Sequence, residues 1–269
     1  SSTQEGKLQG HQYLLTIALH TTPKEEYATI ENQFESLFET FGRSARTYFL
    51  QIDYNHFLAF KMNKKEEAVA NLKTLSTKKL TSYQEARVKM ELADILVHEE
   101  KFNQALIYYS QIQKKVASNI LAQQARFKVA QTSYFKGDFE WAQVQLDVLR
   151  KSASQLIAND AMQLSLMISD NSLEDSTQTA LNKYAKADFM AFQRKDKDAI
   201  IAFEEISLNN KGEQIEDEVL LKLGKLYEKT EQYSKAEASY LKIMEFYNDD
   251  ILADDAHFLL AELYKYKLN

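Results

Sequence analysis

The stretch VLLKLGKLYEKTEQYSKAEASYLKIMEFY, residues 219–247, decides the fold. Ala236 follows a polar turn, and Tyr240 and Ile243 come four and seven residues after it. Those spacings place the three side chains on one helical face. Ahead of the turn, Leu223, Gly224 and Tyr227 recur at helical spacing. Gly224 is small enough for a preceding helix to approach the following one closely. The stretch therefore predicts two amphipathic helices joined by a tight turn.

The same arrangement recurs along the chain. Alanines that follow a turn and open an amphipathic stretch stand at Ala68, Ala105, Ala142, Ala199 and Ala236, at intervals of 37, 37, 57 and 37 residues. Four residues after each comes a large apolar residue: Leu72, Tyr109, Leu146, Phe203 and Tyr240. Three further on come Leu75, Ile112, Leu149, Ile206 and Ile243. Twelve residues before the alanines lie His56, Ala93, Ala130, Ala187 and Gly224, four of them small. A unit of this size cannot bury its apolar face alone and must stack on its neighbours.

These units resemble tetratricopeptide repeats. Leu223-Gly224, Tyr227, Tyr233, Ala236 and Tyr240 match that family's large, small and aromatic positions, as do Ala93/Phe102/Ala105 and Ala130/Phe139/Ala142. The resemblance covers about residues 44–269. It implies an all-α, right-handed superhelical solenoid of antiparallel helix pairs, here with a period of about 37 residues against the usual 34 or so. The family's proline after the second helix is missing from every unit. His56 stands at a small position and Asp196 at an aromatic one.

Residues 1–43 read as a degenerate N-terminal helical pair. In TPKEEYATIENQFESLFETFG (22–42), Thr22 is a candidate N-cap, Pro23 suits the first helical position and Glu25 completes a capping box. HQYLLTIALH (11–20) is read as its helical partner, with a strand as the alternative. Three repeat units occupy 44–154 and two more 178–248. The 20-residue excess, 155–177, holds an inserted helix, LIANDAMQLSLMI, and a polar loop, SDNSLEDSTQ. That loop lacks the glycine and the bidentate glutamate of a calcium loop, with Leu181 in the latter's place. Residues 249–269 repeat a first helix without its second, so the chain is expected to continue past Asn269; its start, SSTQEG, reads as a mature or excised end.

With no cysteine, disulfides, thiolate zinc sites and a cysteine nucleophile are excluded. No apolar run reaches the roughly 18 residues of a membrane span. A net charge of −6 disfavours nucleic acid as a partner. The charge is uneven: residues 196–269 carry 9 basic and 17 acidic side chains, or −8, and the remainder +2. His11, His20, His56, His98 and His257 form no metal-binding spacing, and no nucleotide-binding, zinc-hydrolase or serine-hydrolase motif occurs. No cofactor is expected.

The expected function is a non-catalytic scaffold for protein–protein interaction. A self-associating structural array is the alternative and an enzyme the third reading. The resemblance implies that first helices line a concave face which binds a peptide or helix of a partner. On that face lie Arg87, Met90 and Asp94, then Phe127, Gln131 and Tyr134, then Tyr184, Asp188 and Phe192, and finally Lys225 and Lys229. The sequence is further similar to envelope-associated repeat proteins of Gram-negative bacteria, many of them lipoproteins or periplasmic factors in outer-membrane assembly or transport. The single tryptophan, Trp141, is expected to pack against the inserted helix around residues 156–169.

Overall fold

The structure, a computed structural model, describes residues 4–152, 154–172 and 178–268. Among them are fourteen α-helices and no strand. They are α1 (Gln4–Thr21), α2 (Tyr27–Phe41), α3 (Tyr48–Phe60), α4 (Lys65–Ser76), α5 (Ser82–His98), α6 (Phe102–Lys115) and α7 (Ile120–Lys136). The series continues with α8 (Phe139–Ser152), α9 (Gln155–Asp170), α10 (Thr179–Phe192), α11 (Asp196–Asn209), α12 (Glu216–Lys229), α13 (Tyr233–Phe246) and α14 (Ala253–Tyr266). Consecutive helices pack as antiparallel pairs. The chain forms two compact units, 1–129 and 130–269, divided within α7. Residues 173–177 of the loop compared with a calcium site lie outside the described residues.

The periodic core is nearly dry. All five alanines, the five large residues four positions on and the five residues seven positions on are no more than 2% exposed. Each large side chain so buried contributes about 1.5–3 kcal/mol, and the alanine beside it lets the paired helix come close. Gly224 shows how close: a β-carbon there would lie 2.3 Å from Cε1 of Tyr240.

The turns repeat as well. Residues with positive φ stand at Asn63, Glu100, Gly137, Arg194 and Glu231, five positions before each alanine. The last four sit in Schellman turns. There the amides of Lys101, Asp138, Lys195 and Gln232 reach the carbonyls of Leu96, Ser133, Met190 and Tyr227 at 2.8–3.0 Å. The first turn is one residue longer, its closing bond running from Lys64 to the carbonyl of Leu58. That extra residue corrects the reading of His56. Its side chain is 54% exposed, and Asn55 takes the buried position, bonded to Asn71 of α4 (3.0 Å).

At the N-terminal end, HQYLLTIALH lies within α1, which buries Leu8 and Leu15 and donates from Gln12 Nε2 to Asp53 of α3 (2.6 Å). The expected capping box at Thr22 and Glu25 is replaced by a 3-10 turn, Lys24–Glu26, without a side-chain cap. Gly42, at φ 75°, ends α2. A capping box that the reading missed starts α5, where Thr81 and Gln84 exchange bonds of 3.3 and 2.9 Å.

Candidate interaction surface

The first-helix face is held internally by one ion pair between successive first helices. His56 Nδ1 of α3 meets Glu91 of α5 at 2.8 Å, and Asp94 of α5 meets Lys128 of α7 at 3.2 Å. In the second unit, Asp188 of α10 pairs with Lys222 of α12. Allowing for the longer first turn, all three join the same two repeat positions, eleven residues before one alanine and fourteen before the next. Such half-exposed pairs are worth at most about 1 kcal/mol, so their effect lies mainly in fixing the register of one helix against the next. Burial would lower the His56 pKa, but the bond to Glu91 and the charges of Asp53 and Asp94 outweigh it and hold it above 6.5.

The expected site residues divide accordingly. Asp94 is held by Lys128 and by the Tyr109 hydroxyl (2.6 Å), Asp188 by Lys222, and Lys229 by Asp196 at 2.7 Å. The last pair accounts for an aspartate where the repeat pattern calls for an aromatic. Tyr134 and Tyr184 belong to the core, at 1% and 7% exposure, against Phe139 and Phe203. Placing them on the surface is therefore corrected. Each ring packs between the two helices of its own repeat, Tyr134 between α7 and α8 and Tyr184 between α10 and α11. Phe192 is half-buried against Phe135 (5.1 Å) and Phe189 (6.0 Å). Met90, Phe127 and Gln131 are half-buried, and Arg87 and Lys225 exposed.

A second feature is a buried polar cluster in the second unit. Glu218 of α12 accepts from Asn171 Nδ2 at 3.0 Å, beside Asp217. Among the described residues its Oε2, Asn171 Oδ1 and Ser133 Oγ find no hydrogen-bond partner. Burial and the neighbouring Asp217 carboxylate push the Glu218 pKa well above the carboxylate range. Among the described residues no group of three histidine, aspartate or glutamate side chains is placed to hold a metal ion.

The exposed apolar surface lies elsewhere. On α8, Trp141, Val144 and Val148 are 48%, 51% and 42% exposed and follow one another at helical spacing. They face away from the core stripe of Ala142, Leu146 and Leu149. They also avoid the side that meets the inserted helix α9, where Gln143 Nε2 donates to the carbonyl of Ser165 (2.8 Å) and Arg150 to its hydroxyl (3.2 Å). The expected packing of Trp141 on that helix is thus corrected. Position 141 lies about 200° around the helix from Gln143, so only one of the two can face α9. A separate groove of about 380 Å³ lies between α11, α12 and α13, floored by Leu220, Leu223 and Tyr227 and rimmed by Lys211, Lys235 and Lys242. It is small and already bridged, because Lys235 reaches Glu204 at 3.3 Å.

No family model and no curated protein matches this chain. Among solved structures, the chain is similar to a tetratricopeptide repeat protein from Parabacteroides merdae, at 13% identity and a TM-score of 0.44. The match covers 95% of this chain and 99% of that one. The description of this chain as a helical repeat protein rests on its own recurring core, turns and ion pairs.

Proposed function

We propose that this chain is a non-catalytic scaffold that binds an amphipathic helix or peptide of another protein along the exposed stripe of α8. The observation that carries the reading is Trp141–Val144–Val148. The other second helices place Glu67, Gln104, Asp198 and Lys235 at the position of Trp141, and Thr74, Gln111, Glu205 and Lys242 at that of Val148. At these two positions a polar pattern is kept on four helices and broken on one, whereas at the Val144 position the siblings are apolar as well (Ala70, Ile107, Ile201 and Ala238); packing does not require the change at 141 and 148, since the face is solvent-accessible. Tryptophan is enriched among the residues that carry binding energy in protein interfaces, and the two valines extend the apolar patch around it.

A second reading, contact with the first-helix face, is favoured by Met90 and Phe127. These occupy equivalent positions on α5 and α7, only half-buried, with Arg87 exposed nearby. One experiment separates the two. Partner recovery from the native host is compared for the wild type, Trp141→Ala/Val148→Asp and Met90→Ala/Phe127→Ala, each with helical content and melting temperature measured. The α8 reading expects recovery to vanish in the first variant and persist in the second. Full recovery by a folded Trp141→Ala/Val148→Asp protein refutes it. Since Trp141 is the only tryptophan, its emission must also shift to the blue when the recovered partner is added back.

A further inference from the structure

We propose that the groove between α11, α12 and α13 is a second binding site, which takes an extended acidic segment of a partner protein with one apolar side chain set between two carboxylates. The site is independent of the α8 stripe. It also lies away from the first-helix face, because Leu220 on its floor stands about 160–180° around α12 from Lys222 and Lys229. Five departures from the repeat pattern converge on it. On the floor, Leu220 replaces the cation that α5, α7 and α10 carry as Lys89, Arg126 and Lys183. At the lip, Leu208 is 80% exposed where the other units hold Thr77, Lys114, Lys151 and Glu245. On the rim, Lys235 and Lys242 stand at positions where no other second helix carries a lysine, and the counterparts of Lys211 are Leu80, Ala117, Ser154 and Asn248. In α5 the floor cation is held within its own repeat, Lys89 meeting Glu85 at 2.6 Å. Glu216 is the counterpart of Glu85 and, facing Leu220 instead, accepts from the Gly212 amide (2.5 Å) and the Tyr247 hydroxyl (2.6 Å).

The charges of the groove select its occupant. Residues 196–269 are net acidic, yet three of their nine basic side chains line this one groove. Both of its carboxylates are engaged, Glu216 as above and Glu204 by the Tyr227 hydroxyl at 2.5 Å. Among the described residues Lys211 and Lys242 take part in no ion pair. Lys235 shares Glu204 with Tyr227 through a half-exposed contact of 3.3 Å, weak enough for a competing carboxylate to replace. Spacing decides between one carboxylate and several. Lys235 and Lys242 are seven residues apart, about 10 Å along α13, so a single carboxylate cannot reach both. In a polyproline II segment, residues three apart share one side and lie about 9 Å from each other. Carboxylates at that spacing meet both lysines, and a side chain between them turns down toward Leu208 and Leu220. At about 380 Å³ the groove is at the small end of ligand sites, which suits one such side chain rather than a helix.

Fluorescence anisotropy of a labelled peptide centred on Glu-Leu-Pro-Glu tests this, with the purified chain titrated to about 500 µM to reach weak binding. The wild type should bind it, less tightly as salt is raised. Replacing the peptide's Leu by Ala, or both Glu by Gln, should weaken binding at least about fivefold. Lys211→Gln/Lys242→Gln should weaken it at least about tenfold, with an unchanged melting temperature because both side chains are exposed. Lys225→Gln/Lys265→Gln makes the same change of net charge away from the groove and should bind as the wild type does. Leu208→Thr, which restores the residue of the first repeat, should shrink the preference for Leu over Ala. Trp141→Ala/Val148→Asp should bind this peptide unchanged, so failure of either reading leaves the other standing. Decanoate, an apolar chain with one carboxylate, should not displace the peptide at equal concentration; displacement would assign the groove to a small amphiphile and overturn the proposal. It also falls if the wild type does not bind the peptide, if the Ala peptide binds equally well, or if Lys211→Gln/Lys242→Gln loses no more affinity than Lys225→Gln/Lys265→Gln.

Discussion

Replacing Gly224 by alanine sets two physical rules against each other. In an exposed helix interior the change stabilises by about 0.8–1 kcal/mol through helix propensity. At Gly224 the new β-carbon would lie 2.3, 2.7 and 2.9 Å from Cε1, Cζ and Cδ1 of Tyr240, whereas unstrained carbons stand about 3.5–4.0 Å apart. The ring has little room to retreat. It is fully buried, and its hydroxyl donates to Glu228 Oε1 at 2.5 Å. Relief therefore requires α12 and α13 to part by on the order of 1 Å, or the hydroxyl bond to break. Overpacking of this kind costs about 1–3 kcal/mol, and helix propensity offsets part of it. Because the overlap exceeds 1 Å and the ring cannot retreat, the upper half of that range applies, and the expected net loss is about 1–2 kcal/mol, which lowers the melting temperature by roughly 2–8 °C at this chain length. Thermal unfolding followed by circular dichroism measures it. Adding Tyr240→Leu to Gly224→Ala should recover part of the loss, as a double-mutant cycle would report. A Gly224→Ala protein that melts at or above the wild-type temperature would refute the close-packing account. It would also undermine the reading of the whole small-residue series.

Glu231→Gly and Arg194→Gly should each stabilise by about 0.5–1 kcal/mol in urea titrations, because φ of 61° and 60° strains any residue with a β-carbon. Gly137→Ala, at φ 83° with Asn182 Oδ1 2.5 Å from the new carbon, should do the opposite. His98 is held to a pKa of about 4 by burial, aided by the charge of Lys65. Its folded pKa lies below its unfolded one, so its contribution is intact above about pH 6.5 and is lost as pH falls toward 4. Screened by solvent at this part-exposed ring, the loss is about 1–2 kcal/mol, and His98→Gln should remove that part of the stability–pH slope. Glu218 has the reverse sign: its raised pKa, caused first by burial and then by Asp217, makes stability fall as pH rises above the ordinary carboxylate range. Glu218→Gln should therefore be more stable than the wild type at pH 8, by about 1–3 kcal/mol. An unchanged alkaline slope would count against a protonated Glu218.

The repeating part of this fold was legible because its constraints are local and recur. Ala142, Leu146 and Leu149 share one helical stripe, and the same three positions recur at four other places, so five independent samples of one pattern agree. The errors arose where a position depends on something outside the pattern. His56 was placed one residue off because the α3–α4 turn carries an extra residue, which shifts the helix without altering its stripe. Four of the five left-handed turn residues give no signal in the sequence, because only Gly137 advertises a positive φ; Glu100, Arg194 and Glu231 adopt it under the constraint of the Schellman bonds, and Asn63 in the longer turn closed by Lys64 and Leu58. Thr81 and Gln84 did offer a signal, a T-x-x-Q spacing at the start of α5.

Four of the expected surface residues, Asp94, Asp188, Tyr134 and Tyr184, are committed within the fold for a different reason, and it bears on how such a chain can work. Transferring a concave face from a family geometry assumes that first-helix positions are free, yet this chain commits Asp94 and Asp188 to neighbouring helices and closes Tyr134 and Tyr184 into the core. Periodicity reports what every unit must do, which is to stack. A partner site must instead differ from unit to unit, so it shows as a departure from the period at a position that packing leaves open. Val148 meets that criterion because its four counterparts are polar, and Trp141 because its counterparts are three charged residues and a glutamine. In each case the informative comparison is between one repeat and its siblings, and each is open to test by a substitution that returns the position to the sibling residue. Trp141→Gln should leave the repeat folded and abolish the contact.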